Sequence, residues 1–258
     1  MTYIFLFIAH LLGDFVFQNS ELVERKKVDG RALIEHSAIY LAFMLVALII
    51  TQEFIIGIAT GVFIGILHYV VDLGKNKIIK NDPSIKKDFI VFLIDQFIHI
   101  LLLIIITKYI LDLYPAPDTL IDQMVRKSSY HFVMESSVIV LLYVLCSHPI
   151  GVIIKKVFLM LDKKSEQQLT MEGLGSGYTI GILERLIILT LGLLGEFGAV
   201  GLVLAAKGLA RFEQLKDKNF AEKYLIGTLL SVLLALGCVL IIKNIDKCLA
   251  WTLIENVR

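Results

Sequence analysis

The sequence predicts an all-α protein, a polytopic bundle of seven to eight transmembrane helices. Three observations predict it. Of the 258 residues, 57% are hydrophobic, whereas soluble domains run at roughly 45–50% apolar, and a soluble chain of this size lacks the interior to bury the excess. The apolar residues gather in runs close to the ~20 residues that carry a helix across a bilayer. No run alternates apolar with polar residues, the pattern a membrane β-barrel requires.

The runs are 1–18, 33–50, 54–73, 89–111, 131–153, 178–194 and 221–242, with an eighth at 196–213 that starts apolar and ends basic. The first lacks a basic leader and carries His10 and Asp14, so it reads as a short mature helix rather than a cleaved signal. Residues 1–112 form an expected four-helix membrane module, and 113–258 supply the C-terminal helices, as a second domain or as one continuous with the first. Segment 112–130, with Pro115 and Pro117, is the main expected outer connection. The polar stretch 161–177, with Gly173, Gly175 and Gly177, separates the two groups of helices.

The net charge of +1 becomes informative once the charges are placed. Segments 19–32, 74–88, 154–177 and 206–223 are alternate connections, and they hold 18 of the 25 Lys and Arg residues. Cytoplasmic loops carry the excess of Lys and Arg, so the expected topology has an outside N-terminus and these four loops in the cytoplasm. Lys243, Lys247 and Arg258 oppose an outside C-terminus. Composition excludes a nucleic-acid binder driven by bulk charge. Cys146, Cys238 and Cys248 form no CxxC pair, which excludes a disulfide framework or a thiolate metal site. GLGSGY (Gly173 to Tyr178) lacks the Lys-Ser/Thr of a phosphate loop, and no HExxH or GxSxG is present.

Against this background the intramembrane ionisable residues are the functional signal, because charge in a bilayer is costly. His10 and Asp14, His68 and Asp72, and Asp95 and His99 are each four apart, which puts each pair on one helical face. In the expected topology they reach one depth near the cytoplasmic side, together with His36. Imidazole and carboxylate together suit Zn, Fe or Mn, and carboxylate alone also suits Mg. The expectation is a divalent metal, Zn first, with ligands drawn from His10, Asp14, His36, His68, Asp72, Asp95 and His99. Asp14, Asp72 and Asp95 are the candidate catalytic carboxylates, as ligand or as general base. Two other readings stay open: a proton or ion pathway, and Asp–His pairs that hold the bundle together by hydrogen bonds.

Supporting residues follow. Lys75 lies three beyond Asp72, placed to meet a phosphate or to snorkel to the headgroups. A hairpin turning near Gly195–Gly198 brings Glu184 level with Lys207 and Arg211, as an ion pair, while Arg185 or Arg211 could grip a substrate phosphate. Gly13, and Gly192, Gly195, Gly198 and Gly201, read as close helix contacts. Gln18 could orient Asp14. His131 and Glu135 repeat the four-residue spacing away from the cluster, and His148, next to Pro149, could approach it.

AHLLGDFVFQ (Ala9 to Gln18), His36, HYVVDLGK (His68 to Lys75) and DQFIH (Asp95 to His99) resemble an uncharacterised bacterial membrane-protein family, catalogued as a domain of unknown function. That family is distantly similar to membrane-bound metal-dependent hydrolases. GILERLIIL (Gly181 to Leu189) and AAKGLARF (Ala205 to Phe212) resemble a segment near the C-terminus of its longer members. The resemblance covers roughly 1–105 and 177–213. It implies a shared fold, a bacterial inner-membrane location and a metal site at the seven residues named above.

The expected function is therefore metal-dependent hydrolysis of a membrane-associated lipid or phosphate ester near the cytoplasmic face. Transport of a divalent cation or protons, and a non-catalytic scaffold role, are the alternatives. The expected partner is membrane lipid, not nucleic acid, and the sequence leaves the oligomeric state open.

Overall fold

The computed structural model describes residues 1–81, 84–115, 118–161 and 175–255; Pro117 and the polar stretch 162–174, including Gly173, lie outside the described residues, as does the Cys248 side chain. The chain divides into two compact units, 1–144 and 145–258. In the first, α1 (Thr2–Leu11) runs into a π-turn (Leu12–Val16). Then come α2 (Ser20–Arg25), α3 (Gly30–Thr51), α4 (Phe54–Asn81), α5 (Ile85–Leu113), α6 (Leu120–Lys127) and α7 (Tyr130–Cys146). The second contains α8 (His148–Leu161), α9 (Gly175–Leu194), α10 (Phe197–Ala210), a 3-10 turn (Gln214–Lys216) and α11 (Lys218–Glu255).

Among the described residues, six helical stretches are long and apolar enough to cross a membrane: Gly30–Thr51, Phe54–Lys80, Ile85–Leu113, Tyr130–Met160 (α7 with α8), Gly177–Leu194 and Lys218–Ile245. Thr2–Val16 and Phe197–Ala210 are shorter apolar helices. The protein is an all-α, multi-pass membrane bundle. Large apolar side chains such as Phe63, Ile66, Phe97 and Leu101 point outward, as lipid contact requires.

Helix starts follow local chemistry. The Asn19 side chain accepts from Leu22 N (2.7 Å) to cap α2, and Asp29 accepts from Arg31 N (2.9 Å) to cap α3. A reciprocal capping box between Thr119 and Asp122 starts α6. The sequence marks 112–130 as a connection, and α6 is a helical turn pair set within it. Helix α7 ends at Cys146 and α8 begins at His148, so the break falls at Ser147. Pro149 sits in the first turn of α8, where its missing N–H costs nothing.

Glycine spacing places α4 against α3. A Cβ added at Gly61 would lie 2.7 Å from Leu45 Cδ2, at Gly57 3.1 Å from the Leu48 carbonyl oxygen, and at Gly65 3.1 Å from Leu41 Cδ1. This four-residue repeat lets the two backbones approach closely. One turn further along α4, His68 meets His36 of α3. Beyond them, Leu6, Met44, Leu48, Ile64 and Leu103 form the apolar core of the first unit.

Gly13 does the same for the π-turn, since its added Cβ would lie 2.9 Å from Tyr40 Cα, a backbone atom. Gly13→Ala should therefore destabilise the protein by about 1–3 kcal/mol, the usual cost of overpacking. Thermal unfolding in detergent checks this against Gly74→Ala, where an added Cβ meets nothing within 4 Å; equal melting of the two variants would contradict it.

The glycines after Leu191 correct the expectation of a continuous contact stripe. An added Cβ at Gly192 would lie 2.6 Å from Val239 Cγ2, and Gly195 turns the chain with φ +82°. Gly198 and Gly201 meet nothing within 4 Å. A period of three drifts by about 60° per step on a 3.6-residue helix, and the turn at Gly195 interrupts the register.

Candidate metal centre

Four helices and one loop of the first unit build a buried polar cluster. Helix α1 brings His10, and the π-turn brings Asp14. The turn is marked by Phe17 N–H donating to Leu12 O five residues back (2.9 Å), and such bulges occur often at functional sites. Helix α3 contributes His36, α4 contributes His68 and Asp72, and α5 contributes Asp95 and His99. None of these seven residues is more than 3% exposed.

The ring nitrogen His36 Nε2 lies 3.1 Å from His68 Nε2, 3.2 Å from Asp14 Oδ1 and 3.4 Å from Asp72 Oδ2. His68 Nε2 is 3.9 Å from Asp72 Oδ2. One imidazole nitrogen carries at most one hydrogen, so it cannot serve three neighbours by hydrogen bonding alone. A tetrahedral ion with bonds of about 2.0–2.1 Å has ligand–ligand edges of about 3.3–3.4 Å. One atom from each of Asp14, His36, His68 and Asp72 lies within 4.8 Å of the others, and Asp72, Asp95 and His99 form a second such group. Asp72 belongs to both.

A network closed by hydrogen bonds would leave few polar atoms over. Here His36 Nδ1, His68 Nδ1, Asp95 Oδ1 and both nitrogens of His99 are buried without a hydrogen-bond partner among the described residues. His99 Nδ1 faces Asp95 Oδ1 at 3.7 Å, too far for a good bond. The donor set, two imidazoles with two carboxylates, fits a divalent transition metal.

His10 lies beside these groups rather than within either of them. Gln96 Nε2 donates to Asp14 Oδ2 (2.8 Å) and Asp95 Oδ2 (3.2 Å), so its Oε1 accepts from His10 Nε2–H (3.2 Å). His10 Nδ1 is left to accept from the Tyr40 hydroxyl (3.4 Å). Both nitrogens are thereby engaged. The Tyr40 ring stacks on His68, with centroids 3.7 Å apart and planes 4° off parallel.

Two lysines complete the charge balance. Lys75 Nζ donates to Asp72 Oδ1 (2.5 Å) and Asp95 Oδ2 (3.0 Å). Lys26, at the end of α2, donates to Asp72 Oδ2 (3.3 Å) and lies 3.9 Å from Asp14 Oδ1. Its carbonyl accepts from Asn76 Nδ2 (2.8 Å), which ties this loop to α4. Burial pushes the Lys26 ammonium below the ordinary lysine range, while Asp72 and then Asp14 pull it back up. Three carboxylates thus face two ammoniums, out of water.

Lys26, Tyr40 and Gln96 escape the sequence reading. Tyr40 follows His36 by four residues and Gln96 follows Asp95, so a signal existed for both; Lys26 is indistinguishable from its neighbours in a basic loop. Gln18 bonds the Asp14 carbonyl rather than its carboxylate.

Arg185 and Arg211 fall in the second unit. Arg185 Nε and Nη2 donate to the carbonyls of Cys146 and Ser147, both at 2.7 Å, across the break between α7 and α8. Glu184 pairs with Lys207, as the hairpin predicts, whereas Arg211 Nη1 donates to Gln214 Oε1 (3.2 Å). His148 lies near Tyr178, with ring centroids 6.0 Å apart. His131 and Glu135 approach to 3.6 Å, both well exposed. Arg185→Ala should lower the melting temperature by removing two carbonyl partners from a buried break, an effect of about 1–3 kcal/mol; an unchanged melting curve would contradict this.

Residues 2–126 match the model of a family described as a protein of unknown function, DUF3307. The match contains all seven cluster residues together with Lys26, Tyr40, Lys75 and Gln96. No curated protein and no solved structure matches the chain.

Proposed function

On the premise that residues 2–126 belong to the DUF3307 family, we propose that the protein is a membrane-embedded, metal-dependent hydrolase of a lipid or other membrane-associated phosphate ester. The observation that carries this reading is the convergence of His36 Nε2, His68 Nε2, Asp14 Oδ1 and Asp72 Oδ2 on one another. Zn, Mn or Fe suits this donor set better than Mg. When bound, such an ion supplies Lewis acidity and a water acidified towards neutral pH.

The chain's own residues divide the remaining work. Asp14 and Asp72 hold the ion with the two imidazoles, and Gln96 fixes the Asp14 carboxylate. Asp95 accepts a proton from the attacking water as its oxygen bonds phosphorus. The phosphorus–oxygen ester bond then breaks, and Asp95 returns that proton to the leaving alcohol oxygen. The Lys75 ammonium, bonded to both Asp72 and Asp95, faces the phosphate oxygens and offsets their charge. The Lys- and Arg-rich loops support a reading in which this site lies near the cytoplasmic face of a bacterial inner membrane.

The test is phosphate release from a panel of lipid phosphates by reconstituted, metal-loaded protein. Asp95→Asn should lower kcat by about 10²–10⁴, the usual contribution of a positioned acid–base group. Absence of release from every member, in protein shown to hold its metal, would sink the reading.

Cation or proton transport is the second reading. Thr107 Oγ1 and Gln52 Oε1 are buried without partners among the described residues, and Thr60 is buried as well. These polar groups lie beyond the cluster. The apolar layer of Leu6, Met44, Leu48, Ile64 and Leu103 stands between, which favours the hydrolase. Metal-ion flux into sealed vesicles, lost on Asp72→Ala, would reverse that preference.

A further inference from the structure

The second unit has a cavity of about 420 Å³ among α8, α9, α10 and α11. Its volume is in the range of sites that enclose small ligands or headgroups. Ile154, Phe158, Leu159 and Ile180 supply apolar wall. The cations that line it are already engaged. Lys207 pairs with Glu184 and donates to Thr228 Oγ1 (3.1 Å). Arg185 is held by the Cys146 and Ser147 carbonyls and Arg211 by Gln214. Lys155 and Lys223 have interactions of their own. An anion entering here would have to draw these groups away from partners they already hold.

The unmatched groups of this lining are a different pair. Glu184 Oε1 and Ser231 Oγ are buried with no hydrogen-bond partner among the described residues, and both residues line the cavity. Glu184 is 5% exposed and Ser231 4%, and buried polar atoms are costly to leave unmatched. Glu184 Oε1 can only accept, so it calls for a donor. A donor with positive charge would meet the Lys207 ammonium, which already sits on the other oxygen of Glu184. An anion would face the carboxylate itself. The ligand that fits is uncharged: it offers an O–H to Glu184 Oε1 and carries an oxygen able to accept from the Ser231 hydroxyl.

We propose that this cavity binds an uncharged lipid alcohol of the diacylglycerol type. The free hydroxyl donates to Glu184 Oε1, and the neighbouring ester carbonyl accepts from the Ser231 hydroxyl. The glycerol backbone fills the cavity, and the acyl chains lie along Phe158 and Ile180. A lipid alcohol without an ester would meet Glu184 alone. Mostly apolar sites in which a few placed polar groups fix orientation bind such molecules in general. The site lies outside residues 2–126 and is independent of the metal reading.

The experiment is photo-crosslinking of the full chain in phosphatidylcholine vesicles, using a diacylglycerol with a diazirine on one acyl chain, followed by mapping of the labelled peptides. Label that unmodified diacylglycerol displaces should fall on α8, α9 or α11. The 3-O-methyl ether of diacylglycerol lacks the O–H, and about tenfold more of it should be needed for the same displacement, the scale of one hydrogen bond to a charged group. Phosphatidate should also compete less well than the alcohol, because its phosphate faces the Glu184 carboxylate. Ser231→Ala, a near-isosteric change, should weaken binding with an unchanged melting curve. Glu184→Gln should remove the preference for the alcohol over the ether. Its amide oxygen stays on Lys207, and the amide nitrogen then donates to either ligand. A Glu184 that only holds Lys207 in place would leave that preference intact. Absence of displaceable label in the second unit, equal competition by alcohol, ether and phosphatidate, or a preference that survives Glu184→Gln would each overturn the proposal.

Discussion

Purified in mild detergent without chelator, the protein should retain about one divalent transition-metal ion per chain, the content expected of a single buried His/Asp site. His36→Ala, His68→Ala and Asp72→Ala should each abolish it, because each removes an atom from the converging set. His10→Ala should retain it. The His10 nitrogens are committed to Gln96 and Tyr40, so its loss disturbs the orientation of Asp14 rather than a ligand bond. Elemental analysis of the four variants decides the matter. Metal lost as completely in His10→Ala as in His68→Ala would refute the assignment of ligands, and wild-type protein without metal would refute the centre itself. Chelation supplies a second readout, since an ion that binds only the folded state at a thousand times its Kd contributes about 4 kcal/mol. The melting temperature of wild type should therefore fall on chelation and that of Asp72→Ala should not move.

The residues that carry this prediction were unevenly legible. Helix geometry is local, so the four-residue spacings of His68 with Asp72 and of Asp95 with His99 identified one face each without any tertiary knowledge. Their meeting across helices was legible only through the cost of burying charge in lipid. The sequence placed His10 among the ligands, yet nothing in a spacing of four reveals that a glutamine on a distant helix occupies its nitrogen. Lys26 was hidden because positive-inside loops are full of lysines, and only the Asn76 side chain, bonded to its carbonyl, singles it out. Helix lengths differ for a related reason. Hydropathy marks where lipid contact ends, whereas backbone hydrogen bonding continues: the apolar run 54–73 lies in a helix that extends to Asn81. The glycines at 57, 61 and 65 stood in the sequence as a four-residue repeat, and their tight seat on α3 explains how His68 comes within 3.1 Å of His36.

Replacing Lys75 by methionine should raise the metal content from about one ion per chain to about two, the two-metal arrangement that a shared carboxylate permits. Asp72, Asp95 and His99 already form a second candidate ligand group. What stands in it is the Lys75 ammonium, 2.5 Å from Asp72 Oδ1 and 3.0 Å from Asp95 Oδ2. Two unit charges 4 Å apart repel by about 4 kcal/mol at an effective dielectric of 20, and a dication doubles that. Lysine and a second ion therefore exclude one another, and the lysine is present in every chain. Methionine keeps most of the side-chain volume and removes the charge, so Asp72 and Asp95 are left needing a cation. Unpairing a buried charge costs about 3–5 kcal/mol, so without added metal this variant should melt well below wild type, and excess metal should restore it. Adding Asp95→Asn removes the unpaired carboxylate as well, and the double variant should return to one ion. Two ions in wild type, or one in Lys75→Met at saturating metal, would show that lysine is not the cation that closes the second position.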